Sequence, residues 1–170
     1  YDVTSGVLLV DGHDVRDLTQ HSLRAAIGVV SQDPHLFHES IRANLLYARP
    51  QAGEQELIEA LQAAQVWPVI ASLPEGLDTE LHPHGRPLSY RQASRLMIAR
   101  AIAGRPRLIV LDGALDQIDR HDEQEQLAQA LFGGGAPWTV ICNTERADLL
   151  ARCSRVVTLA GGDVREEERA

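Results

Sequence analysis

The stretch that decides the fold runs from Pro87 to Asp119, PLSYRQASRLMIARAIAGRPRLIVLDGALDQID. Ser89 is suited to begin a helix, because its side-chain oxygen can accept a hydrogen bond from a free backbone amide of the first turn. Apolar residues then cover much of the helix surface, which predicts a buried helix. Gly104 followed by Pro106 predicts its end. The apolar positions are Leu96, Met97, Ile98, Ala99, Ile102 and Ala103.

An uninterrupted apolar run, Leu108 to Leu111, follows the helix and stops at Asp112. Such a run predicts a strand that is covered on both faces of a parallel sheet. In open α/β sheets, ligands bind beyond the carboxyl ends of the strands, so an acid at this place can hold a metal ion. The sequence therefore predicts an α/β fold with a site at the end of this strand.

Several pieces of the stretch, taken in order, resemble the nucleotide-binding domain of an ABC transporter. The family pattern is LSGGQ, a helix, ARA, a proline, an apolar strand that ends in Asp-Glu, and SALD. The order and spacing carry the resemblance, since any single piece is a weak signal. The alternative is an unrelated α/β domain with a buried helix. The matching pieces are Leu88-Ser89-Tyr90-Arg91-Gln92, Ala99-Arg100-Ala101, Pro106, Leu108 to Asp112, and Asp116-Gln117-Ile118-Asp119.

The resemblance implies a P-loop NTPase-like (RecA-like) core sheet with an inserted α-helical subdomain. Residues 1–170 then form a single partial nucleotide-binding domain. We expect the core sheet region at residues 1–33 and 106–165, and the helical subdomain, which carries the signature helix, at 34–105. A 170-residue chain with 44% apolar residues can bury a core of this kind.

The chain contains no lysine, and all sixteen of its basic residues are arginine. It therefore lacks the G-x-x-x-x-G-K-[ST] loop, whose amides and lysine hold the β- and γ-phosphates of ATP. The family places that loop before the segment that begins here at Tyr1, so we expect a core that is incomplete at its N-terminus and a chain that is a piece of a longer protein. We expect this polypeptide alone to bind ATP poorly and to be inactive.

The other segments predict the elements that surround such a site. Asp11-Gly12 predicts a hairpin turn, because this dipeptide favours the tight turns that join antiparallel strands. We expect strands at Gly6–Val10, His13–Val15, Ile27–Ser31, Thr139–Cys142, Arg155–Leu159 and from Val164, and helices at Leu18–Ala26, Glu54–Ala64 and Arg120–Phe132.

The resemblance assigns Gln32 and Asp112 to the catalytic centre, where they face Mg²⁺ and the attacking water. Gln32 follows a predicted strand and precedes an exporter-like segment, whereas a solvated loop amide is the alternative. The family's proton acceptor is a glutamate directly after the aspartate, and this chain has Gly113 there. A general base contributes on the order of 10²- to 10⁴-fold, so we expect slow hydrolysis. A relocated base is the alternative.

The family also has a histidine after the next strand, where it donates a hydrogen bond to the γ-phosphate. Alignment of Thr139 to Ile141 with that strand puts Glu145 in the histidine's place, followed by the expected Arg146. A carboxylate accepts hydrogen bonds but cannot donate them, and a phosphate repels it. We therefore expect Glu145 to turn toward Arg146 or solvent.

The signature segment holds Ser89, Tyr90, Arg91 and Gln92. In the family, two domains pair head to tail, so that each nucleotide lies between the pocket of one domain and the signature of the other. The two family glycines allow phosphate to approach the backbone closely, and Tyr90 and Arg91 remove that freedom. Arg91 offers a new phosphate contact as an alternative, but we favour a weakened signature. Asp119 is expected to cross the dimer seam.

Composition limits the partners. A net charge of −8 argues against a nucleic-acid-binding surface, and no apolar stretch approaches the ~20 residues that cross a bilayer. The pairs His35/His38 and His82/His84 suggest zinc, but they lie in predicted loops with no Cys or carboxylate at ligand spacing, so we interpret them as solvated or interface residues.

The resemblance implies ATP and Mg²⁺ as cofactors, with a transmembrane domain and a second nucleotide-binding domain as partners at the cytoplasmic face of the membrane. We therefore predict the ATPase subunit or domain of an ABC exporter, which couples ATP binding and hydrolysis to transport through a degenerate catalytic site. The alternatives are an inactive pseudo-ATPase that serves as a dimerisation or regulatory partner, and a soluble ABC-type ATPase.

Overall fold

The computed structural model describes residues 3–116 and 122–167. Asp119, predicted at the dimer seam, lies outside the described residues, as do Gln117 and Ile118. The strands are β1 (Leu9–Val10), β2 (His13–Asp14), β3 (Ile27–Ser31), β4 (Leu108–Asp112), β5 (Thr139–Asn143), β6 (Val156–Ala160) and β7 (Asp163–Glu167). The α-helices are α1 (Gln20–Ala25), α2 (Ile41–Leu46), α3 (Glu54–Ala63), α4 (Trp67–Ser72), α5 (Tyr90–Ala103), α6 (Asp122–Phe132) and α7 (Ala147–Leu150).

A three-stranded parallel sheet with the order β3-β4-β5 positions the site. The predicted strand β4 lies in its centre, where Leu111 pairs with Val30 on one side and Cys142 on the other. The same register brings the last residues of the three strands side by side. The prediction of an α/β fold with a parallel sheet is confirmed.

The helix α5 forms the centre of the core, as its apolar surface predicted. Ser89 caps it: the Ser89 hydroxyl accepts from the Gln92 N–H at 3.3 Å, and the Gln92 amide oxygen accepts from the Ser89 N–H at 2.8 Å. Ile98 and Ala99 are fully buried. Gly28 of β3 permits the close approach of the helix, because a Cβ there would lie only 3.1 Å from the Cβ of Ala101.

Within the described residues, β4 is buried on one face and only half-buried on the other, contrary to the prediction that both faces are covered. Ile109 and Leu111 are fully buried on the face that α5 covers. The opposite face carries Val110, which is half-buried, and its neighbours Val29 and Ile141, which are 61% and 55% exposed. An apolar run shows that the side chains on both faces of a strand tolerate burial, but it does not show that other elements pack on both faces.

The helices α2 to α5 occupy the chain between β3 and β4, where the helical subdomain was predicted; the proposed boundaries stay predictions. Arg42 of α2 joins this region through ion pairs with Asp78 at 2.7 Å and Glu54 at 2.9 Å. The hydrogen bond that the Arg42 guanidinium donates to Asp78 raises the pKa of Arg42 above its ordinary value, so this guanidinium stays charged. No helix in the described part of the chain combines the length and apolarity that a bilayer crossing requires.

Two antiparallel hairpins among the described residues join strands that the sequence predicted. Asp11 and Gly12 join β1 to β2 with φ angles of 52° and 80°, and positive φ at both central residues is the requirement of the type I′ turn. Gly161 and Gly162, also at positive φ, join β6 to β7.

Candidate functional site

Polar residues meet where the three parallel strands end. Ser31, Asp112 and Asn143 close β3, β4 and β5 in register. The segments that follow them line a pocket of about 800 Å³. Its lining includes the four residues predicted for the catalytic centre, namely Gln32, Asp112, Gly113 and Glu145.

Asp112 is oriented by a neighbour that the sequence analysis did not single out. The Asn143 side-chain amide donates a hydrogen bond to Oδ1 of Asp112 at 2.8 Å. An ionised carboxylate has about four acceptor positions, so this bond leaves others available. The register of parallel strands was the available signal, since Asn143 ends β5 where Asp112 ends β4.

The donors at this edge fit Mg²⁺ when it is bound together with phosphates. No group of three or more His, Cys, Asp or Glu within residues 3–116 and 122–167 could hold a metal ion by itself. Mg²⁺ at phosphate sites needs only one or two protein carboxylates, because water and phosphate oxygens complete its shell. The Asp112 carboxylate and the Gln32 amide oxygen are hard oxygen donors that line the same pocket.

Gly113 begins a turn that a larger residue disfavours. Its φ is +63°, a conformation that L-residues adopt at a cost. Its N–H donates to the Asn143 carbonyl at 3.1 Å, and its carbonyl accepts from the Asp116 N–H at 3.2 Å. The glycine therefore holds the backbone after Asp112 in a left-handed bend.

We expect Gly113→Ala to lower the free energy of unfolding by about 1–2 kcal/mol, since alanine is strained at positive φ. Space is not the reason, because the nearest atom to an added Cβ, Cβ of Gln32, is 3.5 Å away. Urea denaturation measures the change. Gly134→Ala is the matched control: its Cβ would meet nothing within 4 Å and its φ is not positive, so we expect a change of less than about 0.5 kcal/mol. Equal stability of both variants would contradict this account of Gly113.

Glu145 lies exposed on the pocket wall. Its neighbour Arg146 pairs with Asp148, with Nε at 3.1 Å from Oδ1, and donates to the Leu115 carbonyl at 2.7 Å. The solvent-facing position agrees with the expected orientation of Glu145, whose role stays a prediction.

The signature residues lie at the start of α5 and do not themselves line this pocket. Ser89, Tyr90 and Arg91 are exposed, and Gln92 is half-buried. None of the four is among the described residues that line the pocket. The arrangement leaves Ser89 and Arg91 on the surface, where a second molecule can reach them.

Tyr90 makes a contact that the sequence did not reveal. Its hydroxyl donates to the Gln32 carbonyl at 2.8 Å and lies 3.4 Å from Oδ1 of Asp33. Desolvation, followed by the charge of Asp33, raises the pKa of Tyr90, so the phenol keeps its donor proton. The start of α5 is thus tied to the loop that carries Gln32.

We expect Tyr90→Phe to release that loop while the rest of the fold persists. Loss of one hydrogen bond of about 0.5–1.5 kcal/mol should speed hydrogen exchange of the amides at residues 32–35 by roughly 2- to 10-fold. Mass spectrometry of exchange measures the effect. Tyr47→Phe is the control, because the Tyr47 hydroxyl donates elsewhere, to Glu39 at 2.9 Å. Unchanged hydrogen exchange at residues 32–35 in the Tyr90 variant would show that the hydrogen bond of the Tyr90 hydroxyl does not restrain this loop.

Comparisons with known proteins agree on one family. The family model described as ABC transporter matches residues 1–116. An ATP-dependent lipid A-core flippase of Syntrophus aciditrophicus (strain SB) is 37% identical over 170 residues, which cover 98% of this chain and 28% of the flippase.

A solved structure, of a bacterial Atm1-family ABC exporter with ATP bound, has a TM-score of 0.86 and 33% sequence identity. The match covers 95% of this chain and 28% of that exporter chain. The chain therefore spans little more than a quarter of the length of each of these two relatives.

Proposed function

Because the chain belongs to the ABC transporter family, we propose that it is the ATP-binding part of an exporter and couples ATP binding, with slow hydrolysis, to transmembrane transport. The observation that carries the proposal is the pocket where β3, β4 and β5 end, with Gln32 and Asp112 on its wall. The similarity to a lipid flippase and to an exporter with ATP bound supports export over a soluble ABC-type ATPase.

In this proposal Asp112 and Gln32 supply the oxygen ligands for Mg²⁺, which when bound neutralises charge on the β- and γ-phosphates. Asn143 holds the Asp112 carboxylate in place through its 2.8 Å hydrogen bond. The phosphate-binding loop comes from sequence outside these 170 residues. Gly113 has no side chain to accept a proton, and Glu145 cannot donate to the γ-phosphate, so the site works slowly.

Two partners follow from the same proposal. A second nucleotide-binding domain presents its nucleotide to the signature residues Ser89 and Gln92 of this chain. A transmembrane domain contacts the loop after Gln32. Phe37 of this loop is 49% exposed and packs against Tyr47 at the end of α2, which is 55% exposed, with ring centroids 4.4 Å apart and ring planes tilted by 42°. The Arg100 guanidinium lies 5.5 Å from the Phe37 ring centre and supports this apolar surface. The chain then works at the cytoplasmic face of the membrane.

The test compares nucleotide binding by two polypeptides. The 170-residue chain should bind Mg·ATP with a Kd above roughly 1 mM, equivalent to less than about 4 kcal/mol of binding free energy. The assembled exporter that contains it should bind Mg·ATP in the micromolar range and transport in membrane vesicles. Displacement of a fluorescent ATP analogue reports the binding. Absence of binding by the assembly would overturn the proposal. Micromolar binding by the chain alone would contradict the part of it that assigns the phosphate-binding loop to sequence outside these residues.

Gly113 also favours a second candidate, a pseudo-ATPase that serves as a dimerisation or regulatory partner. It predicts that the assembled protein binds Mg·ATP but that its pocket does not turn ATP over. A single-turnover measurement of phosphate release distinguishes the two candidates.

A further inference from the structure

Asp116 lies beside the place that a catalytic side chain at residue 113 would fill. A Cβ on Gly113 would lie 3.6 Å from Oε1 of Gln32 and 3.7 Å from Oδ2 of Asp116. A side chain that starts at residue 113 would therefore enter the gap between Gln32 and Asp116. Both residues line the pocket that also holds Asp112.

The distance to Asp116 matches the reach of the missing carboxylate. Carbon–carbon bonds of about 1.5 Å and carbon–oxygen bonds of about 1.2 Å place the carboxylate oxygens of a glutamate roughly 2.7–3.7 Å from its own Cβ. The Oδ2 atom of Asp116 lies 3.7 Å from the Cβ position of residue 113. This distance is the outer limit of the range at which a glutamate at residue 113 would place its oxygens.

One hydrogen bond holds this carboxylate, and a second holds the backbone that carries it. The Asp116 N–H donates to the Gly113 carbonyl at 3.2 Å and closes the turn. The Thr144 hydroxyl donates to Oδ1 of Asp116 at 2.5 Å, and Thr144 is itself held because its hydroxyl oxygen accepts from the Arg146 N–H at 3.1 Å. With Oδ1 engaged by Thr144, Oδ2 is the oxygen beside Gly113.

We propose that Asp116 accepts the proton of the attacking water in this pocket, in place of the carboxylate that Gly113 lacks. The inference rests on the proposed function, since it needs ATP bound in the pocket. An O–H bond of the water breaks and its proton passes to Oδ2 of Asp116. The water oxygen bonds to the γ-phosphorus, the bond from that phosphorus to the β–γ bridging oxygen breaks, and ADP and phosphate leave. Asp116 then returns its proton to solvent.

Removal of a proton acceptor at residue 116 and removal of an ordinary exposed carboxylate there are expected to have different effects on rate, affinity and fold. A general base acts only in the transition state, so its loss lowers the catalytic rate without weakening substrate binding. A carboxylate that only stabilises the turn would alter the fold instead, and one that only contributes charge would change the affinity for Mg·ATP.

The experiment uses the assembled exporter and measures single-turnover phosphate release and Mg·ATP affinity separately. Where the second domain differs, its own pocket is inactivated first. Asp116→Asn keeps the side-chain shape and the acceptor for Thr144, so we expect release to slow by on the order of 10²- to 10⁴-fold while the Kd for Mg·ATP changes by less than about 3-fold. Asp116→Glu should recover a measurable part of the rate. Asp163→Asn, exposed in the β6–β7 hairpin, is the matched control with unchanged rate and affinity.

Three results would overturn the inference. The first is a rate of phosphate release for Asp116→Asn equal to that of the unaltered protein. The second is a variant that loses affinity for Mg·ATP but keeps its rate. The third is an unaltered protein that binds Mg·ATP without any turnover. The last result would leave ATP binding by the exporter intact and favour the pseudo-ATPase. Failure of every variant to bind Mg·ATP would instead refute the proposed function. A thermal melt of each variant separates misfolding from loss of chemistry, and if Asp116→Asn misfolds, the rate of Asp116→Glu decides.

Discussion

Ile109→Ala is expected to lower the free energy of unfolding by about 2–5 kcal/mol. Ile109 is fully buried in the central strand, on the face that α5 covers. Truncation to alanine removes apolar contacts and leaves a cavity that the surrounding strands and helix fill only in part. Urea or thermal denaturation of the purified chain measures the loss.

The matched control uses the same substitution on the other face of the sheet. Ile141 of the neighbouring strand β5 is 55% exposed, so Ile141→Ala should cost less than about 1 kcal/mol. The difference between the two losses of unfolding free energy reports that, in the part of the chain that the structure describes, helices cover the face of Ile109 and leave the face of Ile141 exposed. Similar losses from both substitutions would contradict the one-sided packing described above.

Asp112→Asn should weaken the binding of Mn²⁺·ATP to the assembled exporter by roughly 10- to 100-fold, because a carboxylate ligand to the metal becomes a neutral amide. The side-chain shape is retained, and the amide oxygen can still accept from Asn143. Affinity for ATP without metal should change by less than about 3-fold. Mn²⁺ serves as a paramagnetic substitute for Mg²⁺, so electron paramagnetic resonance counts the bound metal directly.

Asp33→Asn, on the same pocket wall, is the comparison. It removes an equal charge but not the proposed ligand, so a smaller effect on Mn²⁺·ATP is expected. If both variants weaken the binding of Mn²⁺·ATP equally, Asp112 acts through its negative charge and not as a ligand of the metal.

The parallel sheet and the buried helix were predictable because their signals are local. Ser89, the apolar positions of α5, Gly104 and the apolar run before Asp112 each reflect the conformation of a few consecutive residues. The placement of Gln32 and Asp112 on one pocket was also predictable, since Asp112 ends β4, Gln32 follows β3, and the carboxyl ends of these strands share an edge. The hairpin at Asp11-Gly12 followed from turn chemistry alone.

The individual hydrogen bonds within the site were not predicted, because they depend on side-chain orientations that the order of the strands does not fix. The hydroxyl of Tyr90 reaches Gln32 across 58 residues, and the amide of Asn143 reaches Asp112 across 31. Each depends on the tertiary fold. The bend at Gly113 depends on a backbone angle, and a glycine in the sequence permits this angle without requiring it.

The open face of the sheet illustrates a further limit. Val29, Val110 and Ile141 are as apolar as residues of a covered face, yet two of them are more than half exposed. Apolar side chains tell where burial is tolerated, whereas burial itself depends on which elements pack there.

A structure of the assembled exporter with Mg²⁺ and a non-hydrolysable ATP analogue tests the central claim most directly. The claim is that the pocket where β3, β4 and β5 end receives the metal and the terminal phosphates. It predicts a metal ion within about 5 Å of the Asp112 carboxylate, a distance that allows direct or water-mediated coordination. Phosphates and metal bound away from this pocket, with Asp112 still paired to Asn143 alone, would contradict it.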